Sequence, residues 1–260
     1  MTSSTGAGAL VHGRSEIDVT VLLPCRNEAA TVAACIAHAL VWIVRRGLTG
    51  EVLVVDNASS DSSAIRARSA GARVISEPCV GYGNALRTGI RAARGRIVIM
   101  ADSDNTYDLT NLDAFYDPIA TARSHDIVLG DRFGHRPSYA AMSRSHRVGN
   151  RVLSTVTRAA TGILAGDVHC GLRSFTRATM AEMPAWSTGM EFATHMLVHA
   201  HRQCLRMTQV DITLYPPTPG RRSNLRPLRD GVRHLVAIAR ESIHRRSRSA
   251  SALDLVETGT

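Results

Sequence analysis

The chain contains no lysine, so all 31 of its basic residues are arginine. A Walker A phosphate loop needs a Gly-Lys pair, and that class of nucleotide-binding protein is therefore excluded. Aromatic residues are only 4% of the chain, and no nucleic-acid-binding motif is recognisable, which weakens a nucleic-acid reading. The longest apolar runs are far too short for a membrane helix. Residues 1–14 are small and polar without the apolar core of a signal peptide, so a cytoplasmic protein is expected. Cysteines occur at 25, 35, 79, 170 and 204 with no CxxC spacing and an odd count. That argues against a disulfide framework or a zinc module and reads as reduced thiols.

What is present sets a different direction. With 260 residues and 44% hydrophobic content, the chain can bury a full core and is most simply one domain with appendages. Its net charge of +9 rests wholly on arginine. GC-rich codon usage explains much of that bias. An arginine-rich surface also suits anionic partners such as nucleoside diphosphates, lipid phosphates or an anionic membrane, because the guanidinium grips phosphate with two parallel hydrogen bonds.

Strands and helices alternate along the first half. Residues 18–24, 51–56, 72–76, 96–101 and 126–130 read as strands, and 29–46, 62–70, 84–93 and 109–121 as helices. The pattern predicts an α/β fold with a mostly parallel sheet and helices on both faces. Ligands of such sheets bind beyond the carboxyl ends of the strands. The expected strand ends carry 24–28, Asp56 with Asn57, Asp102 to Asp104, and Asp131 with Arg132.

Asp102, Ser103 and Asp104 place two carboxylates one residue apart at a strand tip. They repel one another unless a cation sits between them. Mg²⁺ or Mn²⁺ is commonly held by one or two carboxylates together with substrate phosphates. Thr106, Asp108 and Asp113 extend the run into a loose imitation of a calcium loop, but Tyr107 stands where that loop needs glycine.

The motifs, taken in order, resemble those of family 2 glycosyltransferases with the GT-A fold, and within them the dolichol-phosphate mannosyltransferase-like, polyprenyl-phosphate group. The resemblance is carried by Pro24, Cys25, Arg26, Asn27, Glu28; by Val54, Val55, Asp56, Asn57; by Gly81, Tyr82, Gly83, Asn84; and by Ala101, Asp102, Ser103, Asp104. It continues through Gly130, Asp131, Arg132, Phe133; Asp167 to Arg173; Gly189 to Phe192; and Arg222 to Arg226. It implies a donor site built from Pro24, Arg26, Glu28 and Asp56, with Gly83, Asp102 and Ser103. The metal would be held by Asp102 and Asp104, the latter also catalytic. Arg132, Arg144, Arg147, Arg173, Arg222 and Ser223 would bind the acceptor or its phosphate. The group often has an amide two residues after the second Asp, and this chain has Thr106 there.

Displacing a nucleoside diphosphate from an anomeric carbon builds negative charge on the leaving phosphate, which a metal and arginines can stabilise. A phosphate acceptor is already anionic, whereas a hydroxyl acceptor needs a base. Asp167 and Glu191 are the candidates, each with a structural alternative as an ion pair or helix cap. Glu191, His195 and His199 share one helical face without an HExxH pattern, so a cleft lining outweighs a zinc site. Gly81 to Gly89 lacks the third glycine of a dinucleotide fingerprint.

The expected organisation is tails at 1–15 and 247–260, a glycosyltransferase domain over 16–226, and a basic amphipathic helix over 227–246. Within the domain, residues 16–135 form the nucleotide-sugar half and 136–226 the acceptor half. Arg144, Arg147, Arg151 and Arg158 form one basic helix face beside Val148, Val152 and Val156. The leading expectation is a metal-dependent, inverting hexosyl- or N-acetylhexosaminyl-transferase acting on polyprenyl phosphate at the inner membrane face. A soluble hydroxyl acceptor is the alternative, and a non-catalytic anion- or nucleic-acid-binding protein the weaker one.

Overall fold

Strand β1 (Val19–Cys25) is buried along its whole length, with Val19, Val21, Leu23 and Cys25 in one apolar cluster and Leu22 in another. Such a continuous apolar run is what a strand covered on both faces requires. In the computed structural model, residues 17–134, 141–142, 144–163, 165–181 and 188–218 are described. The expected tails, the helix at 227–246, Arg222 and Ser223 lie outside them.

Helix α1 (Val32–Arg45) returns the chain to β2 (Gly50–Asp56), and α2 (Ser63–Ser69) leads to β3 (Arg73–Ser76). Helix α3 (Tyr82–Ala92) leads to β4 (Ile97–Met100), and α4 (Asp113–Ala120) to β5 (Ile127–Asp131). Then follow α5 (Arg144–Thr161), β6 (Arg173–Thr176), α6 (Arg177–Ala181), α7 (Phe192–Arg202) and β7 (Met207–Asp211).

The strands form one seven-stranded sheet in the order β3-β2-β1-β4-β6-β5-β7. All run in one direction except β6, which is antiparallel to both β4 and β5. The mostly parallel α/β expectation therefore holds. Strands β6 and β7 are additions, since the sequence shows the segments around them as motifs and not as strands.

Alternation along each strand feeds two cores. Val52, Val54, Ile97 and Ile99 face the layer of α1 and α4, whereas Leu53, Val55, Val98 and Met100 face α3 and α7. Trp42 of α1 is fully buried, donates from Nε1 to Asp113 Oδ1 at 2.7 Å, and meets the Tyr116 ring edge-on. Helix α4 starts at Asp113, four residues later than the apolar pattern predicts. The Asp108 carboxylate takes the Thr110 backbone N–H and hydroxyl, at 2.8 and 2.6 Å. Local side-chain bonds of that kind compete with helix formation.

Candidate functional site

The loops that follow β1 and β2 are stitched to each other before any ligand is considered. The Glu28 backbone N–H donates to Ser63 Oγ at 2.8 Å, Ala29 N–H to Asp61 Oδ2 at 3.2 Å, and Ser60 N–H to Asn27 Oδ1 at 2.8 Å. Asn27 and Ala58 both sit at positive φ, 57° and 54°. Ala58 has no polar side chain to stabilise that conformation, so the loop is held against local strain. Asn57, 4% exposed, donates to the carbonyls of Glu77 and Cys79 and accepts from Gly81 N–H at 2.7 Å. It fixes the loop that enters α3.

Asp56 ends β2 inside this frame. Its Oδ1 is buried and accepts no hydrogen bond among the described residues. A buried acceptor without a donor costs roughly 1–3 kcal/mol, so this oxygen suits an N–H brought by a ligand. Arg26 is half-buried at the end of β1. Glu28 is buried, and its carboxylate lies 3.4 Å from the Thr31 hydroxyl.

The acidic tip follows β4. Ser103 Oγ donates to the Pro24 carbonyl at 2.8 Å, and Thr31 Oγ1 donates to the Ser103 carbonyl at 2.8 Å. The backbone between the two aspartates is thus bolted to the end of β1. Asp104 Oδ1 accepts from the Thr106 N–H and hydroxyl, at 3.1 and 2.6 Å, with Asn105 between them at φ 62°. Tyr82 donates its hydroxyl to Asp102 Oδ1 at 3.1 Å. Burial, and then the Asp102 charge, push that phenol well above its ordinary range, so it stays protonated.

Opposite Tyr82 the Asp102 carboxylate meets the backbone of Gly171, where a Cβ would stand 2.4 Å from Oδ2. A side chain at 171 would displace that carboxylate. Gly171 N–H donates to the Tyr107 hydroxyl at 3.1 Å. Sequence reasoning gave Tyr107, Asn57 and Gly171 no separate role. A polar side chain directly after a strand end was the available signal for Asn57.

Gly83 N–H donates to the Thr188 carbonyl at 3.1 Å, so the start of α3 clasps the segment leading into α7. A Cβ at Gly81, whose φ is +155°, would lie 2.1 Å from the same carbonyl. Glu191 precedes α7, is 6% exposed, and accepts from Gly189 N–H at 2.9 Å.

Asp167 is fully buried and grips Arg132 at 2.6 and 2.9 Å, while also accepting the His169 N–H at 3.2 Å. Burial alone would raise its carboxyl, but the Arg132 charge and these hydrogen bonds hold it below the usual carboxylate range. Arg173, also at 0% exposure, is turned into the core and donates to the carbonyls of Cys170, Val168 and Ala193. Arg144 is exposed and Arg147 half-buried on α5. Burial pushes the Cys25, Cys35 and Cys170 thiols to about 11, 12 and 12, which keeps all three protonated.

No group of three or more His, Cys, Asp or Glu side chains is arranged to hold a metal among the described residues. Asp102 and Asp104 supply a pair of hard oxygen donors and no more. That set fits Mg²⁺ or Mn²⁺ sharing its coordination with a ligand's phosphates, and does not fit a closed structural site.

A mostly parallel α/β sheet with a buried carboxylate oxygen lacking a donor at one strand end and two carboxylates at another fits a GT-A-type, nucleotide-sugar-binding domain. The chain belongs to glycosyl transferase family 2, whose model matches residues 20–182. It is 35% identical to Glycosyltransferase AglJ of Haloferax volcanii over 82% of this chain and 68% of that protein. With the low-salt glycan biosynthesis hexosyltransferase Agl6 of the same organism it shares 32% identity over 89% of this chain, which spans only 56% of that relative. A dolichyl-phosphate hexose transferase of H. volcanii is 27% identical over 75% of this chain and 82% of its own length. Among solved structures, glucosyl-3-phosphoglycerate synthase from Mycobacterium tuberculosis, in complex with Mn²⁺, UDP-glucose and phosphoglyceric acid, superposes with a TM-score of 0.69. The match has 23% identity and covers 87% of this chain and 80% of that one.

Proposed function

We propose that this glycosyltransferase moves a hexosyl or N-acetylhexosaminyl group from a UDP- or GDP-sugar to a polyprenyl phosphate, with inversion and with Mg²⁺ or Mn²⁺. The observation that carries the acceptor assignment is the state of Asp167, one of the two candidate bases, which is committed to a buried ion pair with Arg132. The other, Glu191, accepts the Gly189 N–H on Oε1, so the Glu191→Gln variant separates a phosphate monoester, which arrives already deprotonated, from a hydroxyl that needs a base. The dolichyl-phosphate hexose transferase relative supports the same reading.

Asp56 would then accept an N–H of the base, and Asp102 and Asp104 would hold the metal. Bound there, the ion neutralises charge that grows on the leaving phosphate. Tyr82 fixes Asp102, and Thr106 fixes Asp104, so the ligands need little reorganisation during transfer. Inversion follows from a single displacement in which the acceptor oxygen attacks opposite the leaving group. Arg144 and Arg147 on α5 are assigned to the acceptor phosphate. Arg173, by contrast, serves to hold the loop before β6 against α7.

A soluble, phosphorylated acceptor is the second reading, favoured by the superposition on a phosphoglycerate-glucosylating fold. The test is kcat/KM for a short-chain polyprenyl phosphate against 3-phosphoglycerate and a neutral sugar, with wild type and Glu191→Gln. Retained activity of Glu191→Gln on the polyprenyl phosphate supports the proposal. A loss of roughly a hundredfold, the usual worth of a general base, or transfer only to a hydroxyl compound, overturns it.

A further inference from the structure

Helix α3 begins without a cap of its own. Gly81 stands at its N-cap, and no side chain caps it among the described residues. The first N–H groups of an α-helix have no partner within the helix, and here the partner comes from the segment that leads into α7. The Thr188 carbonyl accepts from Gly83 N–H at 3.1 Å and from Asn84 N–H at 3.3 Å. On the other side, Asn57 Oδ1 takes the Gly81 N–H at 2.7 Å.

Between those two anchors sits Tyr82, whose hydroxyl meets Asp102 Oδ1 at 3.1 Å. Its backbone is held before and after, so the direction of its ring is set by both anchors. The anchor at Thr188 is itself fixed by a carboxylate. Gly189 N–H donates to Glu191 Oε1 at 2.9 Å, and Phe192 N–H returns to the Gly189 carbonyl at 3.2 Å.

The Thr188 carbonyl and the Gly189 N–H belong to one peptide unit. Such a unit is planar and trans, so its C=O and N–H point in opposite directions and holding one aims the other. Glu191 and Asn84 are each only 6% exposed, which shields both ends of this relay from water. In a shielded place each hydrogen bond also polarises the next. An unbroken series of contacts thus runs from Glu191 through the 188–189 peptide and the first turn of α3 to Asp102.

We propose that Glu191 is a positioning residue for Asp102, acting through the Thr188–Gly189 peptide and Tyr82. What the position requires is then an acceptor oxygen at the reach of a glutamate side chain, and basicity is incidental. The inference rests on the reading of Asp102 as a metal ligand and is independent of the acceptor. Two substitutions separate the requirements. Glu191→Gln keeps an oxygen at that reach and gives up the base, whereas Glu191→Asp keeps the base and gives up the reach.

The experiment is calorimetry on the full-length protein with UDP and with GDP, each with and without Mn²⁺, following in the variants whichever nucleotide the wild type binds more tightly. Neither probe carries a sugar and no acceptor is present, so proton transfer does not enter. With Mn²⁺, Glu191→Gln should bind within about twofold of wild type. Glu191→Asp and Glu191→Ala should each lose roughly tenfold, the lower end of the cost of removing an outer partner of a metal ligand. In a Tyr82→Phe background the same two changes should cost less than about twofold more, because the link they break is already cut. Glu191→Asp retains the buried charge and carries the comparison if Glu191→Ala does not fold.

Equal losses in Glu191→Gln and Glu191→Asp overturn the proposal. So does a loss that persists in full in the Tyr82→Phe background, or a lowered melting temperature with unchanged nucleotide affinity. Wild-type affinity that ignores Mn²⁺ would defeat the metal reading, and the same cycle in metal-free nucleotide affinity would then decide whether Glu191 acts through Tyr82.

Discussion

Tyr82 Oη and Asp102 Oδ1 lie 3.1 Å apart, and they join the first turn of α3 to the tip of β4. The phenol cannot titrate near neutrality, so it acts as a fixed donor that orients the carboxylate. Removing such an outer partner usually costs 10–100-fold in metal affinity. Tyr82→Phe should therefore lower Mn²⁺ affinity by about that factor, read from the Mn²⁺ dependence of donor binding by calorimetry, with the melting temperature little changed. Unaltered Mn²⁺ affinity would show that Tyr82 only packs.

Gly171→Ala tests the other side of the same carboxylate. Its Cβ would meet Asp102 Oδ2 at 2.4 Å, so one of the two must shift. Overpacking of this kind costs about 1–3 kcal/mol. Expected are a modest fall in melting temperature and a loss of at least about tenfold in kcat/KM. Wild-type kinetics would place Asp102 outside the reacting site.

Asp104→Ala should abolish turnover while leaving the circular dichroism spectrum unchanged, because the diphosphate charge loses a neutralising partner. EDTA should reproduce the effect on wild type, and Mn²⁺ should reverse it. Full activity of the variant removes the metal assignment.

Asp56→Ala should weaken donor binding by about 1–3 kcal/mol, since it leaves the base N–H unpaired in a buried place. Isothermal calorimetry with UDP- and GDP-sugars measures this directly. Equal affinity in variant and wild type rules out the base contact. The same panel, run as thermal shifts with Mn²⁺, identifies the donor through mass action.

Asp167→Asn removes the charge opposite Arg132 and should destabilise the fold by about 3–5 kcal/mol, because a buried guanidinium loses its counter-ion. The pH dependence has a definite sign. The folded carboxyl titrates below its unfolded value of about 3.9, so the stabilisation is present above that pH and is lost as pH falls through the folded value. Urea titrations should show wild type and variant far apart at neutral pH and converging below about pH 4. A constant gap across that range would mean that the pair is not the source.

The first five strands were legible because their apolar runs end in polar residues. Strand β6 was not legible. Its four residues, Arg173, Ser174, Phe175 and Thr176, carry a fully buried arginine and a buried serine whose partners include the distant carbonyls of Ala193 and Phe115. Local pattern cannot anticipate such partners. Asp56, Asp102 and Asp104 stood out as carboxylates at strand ends. An ion pair was one reading of Asp167, with Arg173 as the nearby partner, but the partner is Arg132, and nothing in a string of letters brings residues 35 apart into register. The outward valines of α5 were visible as a stripe, and only the fold shows which way that stripe faces.

The placement of β6 has a consequence for how the protein is made. Ile97 of β4 pairs with Thr176, and β5 reaches the rest of the sheet only through β6. While the chain is being synthesised, β3, β2, β1 and β4 can therefore assemble as soon as they emerge, whereas β5 waits without a partner until 173–176 have left the ribosome. Gly171, which walls in Asp102, arrives just ahead of them. The glycine beside Asp102 thus arrives in the same event that joins β5 to the sheet, and an arrested chain ending before that point would expose an unpaired β4 edge.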